Sequence, residues 1–559
     1  MFTLVLLLAG ARAAFAQETW CGKVYMANET VVPPGGQFPV PAASTTPLLA
    51  LRCQPSLIPF LPDDGHTAEV IVDALIRFSH IAGAQDVDLT GARAKDGLVV
   101  TAAIDGVHVA SGRVALNGTT ALPISLASLT PRVEPYTLTC TGTLGSQRFA
   151  SQVANLTYLP DPPSHIGSVT KRDLRTGGIV AKKVGGNGGY EPVLPVGFYT
   201  NFGGYLEGND TVVEVLAEQG FNMIHPVPTF DNLTAFNQLV NKMEELGLWL
   251  MYDMRWTYMN LTAVKDETVP LQPRKNLLLY YTGDEPDGTS DPLSATVLTY
   301  DLLRALDPYR PTSLVLNCQD YFWTDYSAGA DIVMQDAYNV GNNLTFSTVW
   351  DTPCTTERGD CGCDNCQGGF EDIRERVTQF RERMEIVGWE RTKTVWTVPQ
   401  GFGGSSYWSR APTGAEWLVE AIVGINAGAL GVVSWNDPTP ADIKASASTL
   451  ARAAPVLAQH ILSPSSTFAH VVTADRLDIG VWVSSNSKTA LLLGANLNYG
   501  SASVSLADVL ATAGLAPALG GVSTVFDGGA YIEGGAIAFG SVQSGAWVVP
   551  VEKAARASG

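Results

Sequence analysis

The feature of the sequence that most constrains the fold is a regular alternation of apolar runs and amphipathic stretches between residues 194 and 461. Each of eight short runs is largely apolar, without the polar alternation of a half-exposed strand. A helical pattern follows every run except the fifth. Eight such units fill the length that a (β/α)8 barrel needs, so the sequence predicts a central TIM barrel over residues 190–462. The predicted strands are 194–199, 222–226, 248–254, 277–281, 312–316, 331–335, 394–398 and 431–435.

The chain on either side of this region shows strand patterns of another kind. Short alternating runs separated by turn residues predict an N-terminal antiparallel β-sandwich over residues 17–163. The Gly- and Lys-rich residues 164–189 are expected to form a linker or a strand that crosses to the barrel. Alternation returns after residue 463 and predicts a smaller C-terminal β-sandwich over 463–559. The predicted fold class is therefore multidomain α/β plus β, as 559 residues are too many for one core.

Residues 1–16 resemble a signal peptide. An apolar run closes on Ala14-Phe15-Ala16, a small-x-small pattern that a signal peptidase cuts, and the run is too short to span a bilayer. No later segment has about 18 consecutive apolar residues, so no membrane anchor is expected. Acceptor sequences for N-glycosylation also favour a secreted, extracellular glycoprotein. The acceptor residues are Asn28, Asn117, Asn155, Asn209, Asn232, Asn260 and Asn343.

The eight cysteines fit an oxidising compartment. Four of them crowd into one Gly- and Asp-rich loop and are expected to pair locally; these are Cys354, Cys361, Cys363 and Cys366. A zinc site of four thiolates is the alternative, although the spacing C-x6-C-x-C-x2-C is not a standard zinc knuckle. One further pair is expected among Cys21, Cys53 and Cys140, while Cys318 stands alone. We expect no metal and no cofactor.

The charge of the chain excludes one class of partner. With 35 basic and 54 acidic residues, the net charge of −19 would repel nucleic acid and acidic membrane surfaces. Neutral and cationic ligands remain open, and a monomer is expected.

Asp284 and Glu285 directly follow the predicted fourth strand, in the stretch Gly283-Asp-Glu-Pro-Asp-Gly288. In a barrel of this type the C-terminal ends of the strands converge on one mouth, where catalytic groups collect. The alternative is that Asp284, Asp287 and Asp291 are turn formers and caps before the next helix. An adjacent carboxylate also raises one of the two pKa values, as an acid and base pair requires.

Polar and aromatic residues follow most of the other strands. Such a mixture suits a sugar, because aromatic faces stack on a pyranose while carboxylates, amides and Arg bind its hydroxyls. Two carboxyl groups then cleave the glycosidic bond. Taken singly, Trp256 and Trp435 could be core residues, His225 a loop cap and Asp253 an ion-pair partner of Arg255. The predicted binding residues are His225, Asp253, Arg255, Trp256, Asp320, Tyr338, Gln400, Trp435 and Asn436, and the predicted catalytic residues are Glu285, Asp284 and Asp336.

The barrel resembles clan-A glycoside hydrolases, in which Asn-Glu-Pro ends the fourth strand and its Glu is the acid/base. Glu285 matches that Glu, while Asp284 stands where the family has Asn. Gln400-Gly-Phe-Gly403 and Tyr407-Trp408-Ser-Arg410 resemble a secreted fungal and bacterial branch of such barrels. The resemblance implies a secreted enzyme that hydrolyses O-glycosidic bonds of a polysaccharide or glycan.

One departure leaves the mechanism open. Retaining clan-A enzymes carry a nucleophilic Glu at the end of strand seven, where this chain has Gln400. The adjacent Asp284-Glu285 also resembles hexosaminidase-type barrels, in which Asp orients the acetamido group of the substrate as nucleophile, with Tyr338 as a stabiliser here. Inversion with Asp336 or Asp253 as base is a third route. The rival function is a carbohydrate-binding pseudoenzyme that has lost its nucleophile.

Overall fold

The computed structural model describes residues 18–90, 97–186, 188–486 and 488–554. The predicted signal peptide, residues 1–16, lies outside the described residues. In the part of the chain that is described, no helix is both long and apolar enough to cross a membrane.

The centre of the molecule is a closed barrel of eight parallel strands, which confirms the predicted TIM barrel. Each strand is buried, and most lie within two or three residues of the predicted limits. The strands are β1 (Val196–Asn201), β2 (Met223–Val227), β3 (Trp249–Asp253), β4 (Leu277–Asp284), β5 (Thr312–Leu316), β6 (Ile332–Gln335), β7 (Thr394–Thr397) and β8 (Val432–Asp437).

Eight helices surround the barrel. The fifth unit, which has no clear helical pattern in the sequence, contains a short helix. The second helix begins after Asn232, whose side chain accepts the Ala235 N–H. The helices are α1 (Asp210–Glu218), α2 (Leu233–Glu245), α3 (Leu261–Leu271), α4 (Ala295–Leu306), α5 (Trp323–Ala328), α6 (Glu371–Val387), α7 (Gly414–Ala427) and α8 (Ala441–Ile461).

The uninterrupted apolar runs of the sequence arise because both faces of each strand are covered. In β3, Trp249 and Met251 point into the barrel, where they join its inner cluster. The intervening Leu250 and Tyr252 point outward and pack with the helices. Side chains alternate along a strand, so a strand buried on both sides needs apolar residues at every position.

The N-terminal region contains two antiparallel sheets that share one apolar core. The disulfide Cys53–Cys140 joins them and is the pair expected in this region. The first sheet contains Ala84–Asp86, Ala43–Pro55, Glu69–Ser79 and Gly118–Pro123, and the second contains Gln147–Ala150, Tyr136–Leu144, Leu98–Ile104, Val107–Val114 and Ala154–Leu156.

The segment between this region and the barrel is more ordered than a linker. Strands Thr170–Asp173 and Gly178–Ala181 form a hairpin that also pairs with Leu57–Ile58 and Glu191–Val193. Ile179 and Ala181 belong to the inner cluster of the barrel. The hairpin therefore closes the end of the barrel where the strands begin.

The C-terminal region packs on the barrel through α7. Every residue of α7 except Ala415 is buried, because the strands cover its inner side and the C-terminal sheets cover its outer side. The larger sheet contains Thr467–Val472, Leu477–Val483, Thr489–Asn496, Ser544–Lys553, Leu515–Pro517 and Ser523–Gly528, and the smaller contains Ala502–Ser505, Ala536–Phe539 and Tyr531–Glu533.

Candidate active site

A pocket of about 430 Å³ opens at the C-terminal ends of the barrel strands. Its walls are mainly aromatic and its polar groups are mainly carboxylates. The pocket is lined by Trp20, Tyr25, Tyr199, Asp284, Glu285, Val315, Asn317, Asp336, Tyr338, Trp350, Asp360, Gly362, Phe402, Tyr407, Trp408 and Trp435. The three predicted catalytic residues therefore lie together in it, and so do Tyr338 and Trp435.

Two carboxyl groups meet at the floor of this pocket. Glu285 follows β4, Asp336 follows β6, and their side chains share a hydrogen bond. Asn317 follows β5, the strand between them, and its Nδ2 donates to Glu285 Oε1 at 3.0 Å and to Asp336 Oδ1 at 3.4 Å. The order of the strands thus brings together three polar residues that are up to 51 positions apart in the chain.

The environment of the pair favours one shared proton. Burial raises the pKa of Glu285 well above its usual range, and the nearby Asp336 charge adds to the effect. Burial also raises the pKa of Asp336. Two carboxylates at hydrogen-bonding distance cannot both ionise cheaply, so one of them keeps its proton near neutral pH.

The backbone at Glu285 has an uncommon conformation. Its φ of 51° lies in the left-handed region, which few residues other than glycine adopt. The Glu285 carbonyl accepts the Gly288 N–H at 2.9 Å, so the chain turns sharply as it leaves β4. Conformations of this kind cost of order 1 kcal/mol or more and cluster at functional sites.

A buried chain of charges fixes Asp284. Arg255 Nη1 donates to Asp284 Oδ2 at 2.7 Å, and its Nε donates to Asp253 Oδ2 at 2.8 Å. Asp253 also contacts His225 Nε2 at 2.8 Å, and burial lowers the pKa of this His, so it is neutral and donates its N–H. Tyr281 Oη donates to the other oxygen of Asp284.

Of four predicted binding residues in this region, three lie behind the wall of the pocket and one, Trp435, lines it. His225, Asp253 and Arg255 lie behind its wall and contact it through Asp284. The guanidinium of Arg255 also lies 4.9 Å from the centre of the Trp435 ring, which does line the pocket. The three buried residues are placed to orient Asp284 rather than to touch a ligand.

We expect Arg255→Met to lower the free energy of unfolding by about 3 kcal/mol, because it leaves Asp253 and Asp284 without their shared cation. Urea denaturation followed by circular dichroism measures this loss. The matched control is Arg132→Met, since Arg132 and Asp105 form a half-exposed pair at 3.3 Å. The control should change stability by less than about 1 kcal/mol. Equal losses in the two variants would contradict the assignment.

Gln400, which occupies the position of the strand-seven nucleophile in clan-A glycoside hydrolases, has a structural role. Its side chain is buried and accepts the Val340 N–H while donating to the carbonyls of Val340 and Phe402. Glu420 accepts its backbone N–H at 2.8 Å. Gln400 therefore joins the loops that follow β6 and β7, and it does not line the pocket.

Three other predicted residues also lie outside the pocket. Trp256 is 70% exposed on the rim. Asp320 accepts the Phe38 N–H at 2.7 Å and pairs with Arg383. Asn436 donates to Asn201 at the end of β1. Position at a strand end is therefore not sufficient, because the direction of the side chain decides whether it reaches the mouth.

Several lining residues were not predicted. Trp20 and Tyr25 come from the N-terminal segment, which the disulfide Cys21–Cys318 attaches to the loop after β5. Trp20 Nε1 donates to Asn317 Oδ1 at 3.0 Å, so the segment reaches the carboxyl pair. A pairing between residues 297 positions apart leaves no local signal in the sequence.

Asp287 holds the loop that carries Asn317. Its buried carboxylate accepts the backbone N–H groups of Asn317, Cys318 and Gly288. Burial raises its pKa to about 8. Asp287 is thus more than a turn former, because it links the turn after β4 to the loop after β5.

The Cys-rich loop forms part of the outer wall of the pocket. Its disulfides are Cys354–Cys361 and Cys363–Cys366, as expected for local pairing. The loop therefore offers no thiolates to a zinc ion, and the zinc alternative is wrong.

Comparisons with known proteins give only distant likenesses. No protein-family model matches the chain, and no curated protein matches it. Among solved structures, a Bacteroides fragilis protein assigned provisionally as an alpha-galactosidase/melibiase is 12% identical, with a TM-score of 0.41 over 91% of this chain and 98% of that one. An Anoxybacillus alpha-amylase is 10% identical, with a TM-score of 0.39 over 63% and 92%. An endoxylanase from Clostridium papyrosolvens is 8% identical, with a TM-score of 0.38 over 64% and 97%.

Proposed function

We propose that the protein is a glycoside hydrolase that cleaves O-glycosidic bonds of a polysaccharide or glycan in this pocket. The observation that carries the proposal is the pair of carboxyl groups of Glu285 and Asp336, which meet at the Asn317 amide inside aromatic walls. Hydrolysis of a glycosidic bond needs two carboxyl groups, one protonated and one ionised, on the two sides of the scissile bond. The aromatic side chains supply the apolar faces on which sugar rings stack.

In the proposed reaction Glu285 is the general acid. It protonates the glycosidic oxygen as the bond to the anomeric carbon breaks, and Asp336 attacks that carbon to form a glycosyl ester. Glu285, now ionised, then takes a proton from water, which hydrolyses the ester and releases Asp336. The closeness of the pair favours this retaining route over inversion, because inverting enzymes keep their carboxyl groups about 6.5–9.5 Å apart to hold a water, whereas retaining enzymes keep them about 5–5.5 Å apart. The contact in the free protein is shorter than both spacings and nearer to the retaining one.

The contacts of Asp253 and Asp284 also support Asp336 as the attacking carboxylate. Asp253 is buried and bonded to Arg255 and His225, so it is poorly placed to act as a base on water. Asp284 accepts hydrogen bonds from both Arg255 and Tyr281, which fix its orientation and oppose the rise in its pKa that burial causes. We assign to it the stabilisation of positive charge that develops on the sugar in the transition state.

A carbohydrate-binding pseudoenzyme is the competing proposal. It rested on Gln400, and the contacts of Gln400 explain that residue without reference to a lost nucleophile. A binding protein would need the aromatic walls but not a buried pair of carboxyl groups, which is costly to keep. The carboxyl pair therefore favours the enzyme.

We also propose that the protein is secreted and glycosylated. The described cysteines all lie in disulfides, which persist in oxidising compartments. All seven Asn residues of the acceptor sequences are exposed, so an enzyme could reach each of them in the folded protein.

The function is tested by release of product from a panel of aryl glycosides and oligosaccharides built from glucose, galactose, xylose and N-acetylglucosamine. We expect turnover on at least one of them. Proton NMR of the first product should show the anomeric configuration of the substrate. Binding without turnover would favour the pseudoenzyme, and an inverted product would exclude Asp336 as nucleophile.

The pair also predicts a pH dependence. Activity requires one proton on Glu285 and Asp336 together, so kcat/KM should be bell-shaped in pH. The hydrogen bond from Asn317 lowers the pKa of Glu285, and its removal in Asn317→Ala should raise that pKa. The basic limb of the profile should therefore move to higher pH. Asn436→Ala, which removes an amide outside the pocket, should not move it; an unchanged limb in Asn317→Ala would contradict Glu285 as the acid.

A further inference from the structure

The outer half of the pocket contains a group of residues that the proposed reaction does not use. We call it the outer chamber and define it by Trp20, Tyr25, Trp350, Asp360 and Tyr407, all of which line the pocket. They come from the N-terminal segment and from the loops after β6 and β7. None of them supplies a proton or a nucleophile in the reaction above.

The side chains of the outer chamber are held in fixed positions. The rings of Tyr25 and Trp350 are 4.5 Å apart, and Trp350 Nε1 donates to Tyr407 Oη at 2.6 Å. Tyr407 Oη in turn donates to Asp360, whose other oxygen accepts the Gly362 N–H at 2.8 Å. The polar atoms therefore tie the aromatic rings to one carboxylate, as in a site that is formed before its ligand arrives.

Trp20 connects the outer chamber to the carboxyl pair. Its indole donates to Asn317, whose amide also contacts Glu285. The ring lies directly against Gly288, where an added Cβ would be only 2.4 Å from it. Glycine at that position thus lets the indole approach the turn after β4, on the side of the pocket where Glu285 lies.

The position of the outer chamber beside Glu285 identifies the part of the substrate that would enter it. Glu285 protonates the leaving oxygen, so the sugar that departs lies on the Glu285 side of the scissile bond. Rings flanking that side can stack on its apolar face, while Asp360 accepts hydrogen bonds from its hydroxyl groups.

The charge of the walls limits the kind of sugar. Among the described residues that line the pocket there is no Lys, Arg or His. Arg255 behind the wall neutralises Asp284, while Asp360 and the Glu285–Asp336 pair, which keeps one proton, leave the walls acidic. A sugar with a carboxylate or sulfate group would be repelled at the short distances of a closed site.

We propose that the outer chamber is a binding subsite for the leaving-group sugar, and that it takes sugar units without acid groups. The proposal rests on the glycoside hydrolase function above and adds that the substrate has at least two sugar units. Trp20, attached through Cys21–Cys318, is its main stacking surface.

The test compares two substrates of the same glycosyl unit, identified by the panel. A glycosyl fluoride has a leaving group too small to fill the outer chamber, whereas the matching oligosaccharide fills it. For Trp20→Ala and Asp360→Asn we expect the ratio of kcat/KM for oligosaccharide to kcat/KM for fluoride to fall about tenfold. Trp256→Ala, which removes an exposed Trp of the same rim, should leave the ratio unchanged.

The outcomes separate this proposal from the proposed function. Equal losses on both substrates, or no loss on either, would overturn the subsite while leaving the hydrolase in place. If the wild type hydrolyses neither substrate, calorimetric binding of the oligosaccharide decides the point, since Trp20→Ala should weaken it about tenfold. A uronic acid oligosaccharide bound as tightly as the neutral one would overturn the exclusion of acidic sugars.

Discussion

Glu285→Gln should lower kcat for an oligosaccharide by about 10²- to 10⁴-fold, the usual contribution of a general acid. Glutamine keeps the shape of the side chain and can still meet the Asn317 amide, but it has no acidic proton for the leaving oxygen. The loss should depend on the leaving group. A glycosyl fluoride leaves with little help from a proton, so its hydrolysis should be affected far less in the first step.

Steady-state kinetics on the two substrates measures this contrast. The matched control is Asp320→Asn, which neutralises a carboxylate near the end of β5 that bonds to Phe38 and Arg383 outside the pocket. The control should keep wild-type kcat on both substrates. A Glu285→Gln enzyme that hydrolyses the oligosaccharide at the wild-type rate would show that Glu285 is not the acid.

Asp336→Ala should abolish turnover, with a loss of about 10⁴-fold or more, since the variant lacks the carboxylate that attacks the anomeric carbon. The truncation leaves a space beside Glu285 that a small anion can enter. Added azide should attack the anomeric carbon from the vacated side and give a glycosyl azide of inverted configuration. Mass spectrometry and proton NMR identify that product.

Asp336→Ala also distinguishes attack by Asp336 from attack by an acetamido group of the substrate. If Asp336→Ala keeps most of its activity on substrates with an acetamido group and Asp284→Asn does not, the substrate supplies its own nucleophile. A loss in Asp336→Ala without azide rescue would point to a binding role for Asp336. Folding of each variant is checked by its urea midpoint, because Asp336 is buried and bonded to Asn317.

The barrel could be predicted because its signal is repeated and local. Runs such as 277–281 are apolar on both faces, and the helices between them show their own periodicity. The predicted limits of the fifth strand, 312–316, agree with those of the structure. The hairpin Thr170–Asp173 and Gly178–Ala181 was less evident, since its strands are short and lie in a Gly-rich passage.

The site was predictable in part, for a geometric reason. Strand ends of a closed parallel barrel share one rim, so Asp284, Glu285 and Asp336 had to lie near each other. Whether a rim side chain points into the mouth or behind it depends on strand bulges and loop turns that sequence does not specify. Arg255 and Gln400 are examples, since both are buried in hydrogen-bond networks of the wall.

Most of the outer chamber could not be predicted, although the sequence places Tyr407 near the rim. Trp20 is held there by the Cys21–Cys318 disulfide, and the sequence of either segment does not show which cysteine is the partner of the other. Asp360 reaches it because two short disulfide loops shape the segment between β6 and α6. Contacts between segments so far apart in the sequence form only when the whole chain has folded.

Helix α7 has a consequence for cutting the chain into parts. Trp417 packs toward the barrel, against Phe198 and Ser434, whereas Asn426 donates to Asp478 and to the Leu493 carbonyl of the C-terminal sheets. A helix that is apolar all round is stable only when both sides are covered. Without the C-terminal sheets the outer side of α7 would face water, so we expect a barrel truncated after residue 462 to be less stable than the intact protein.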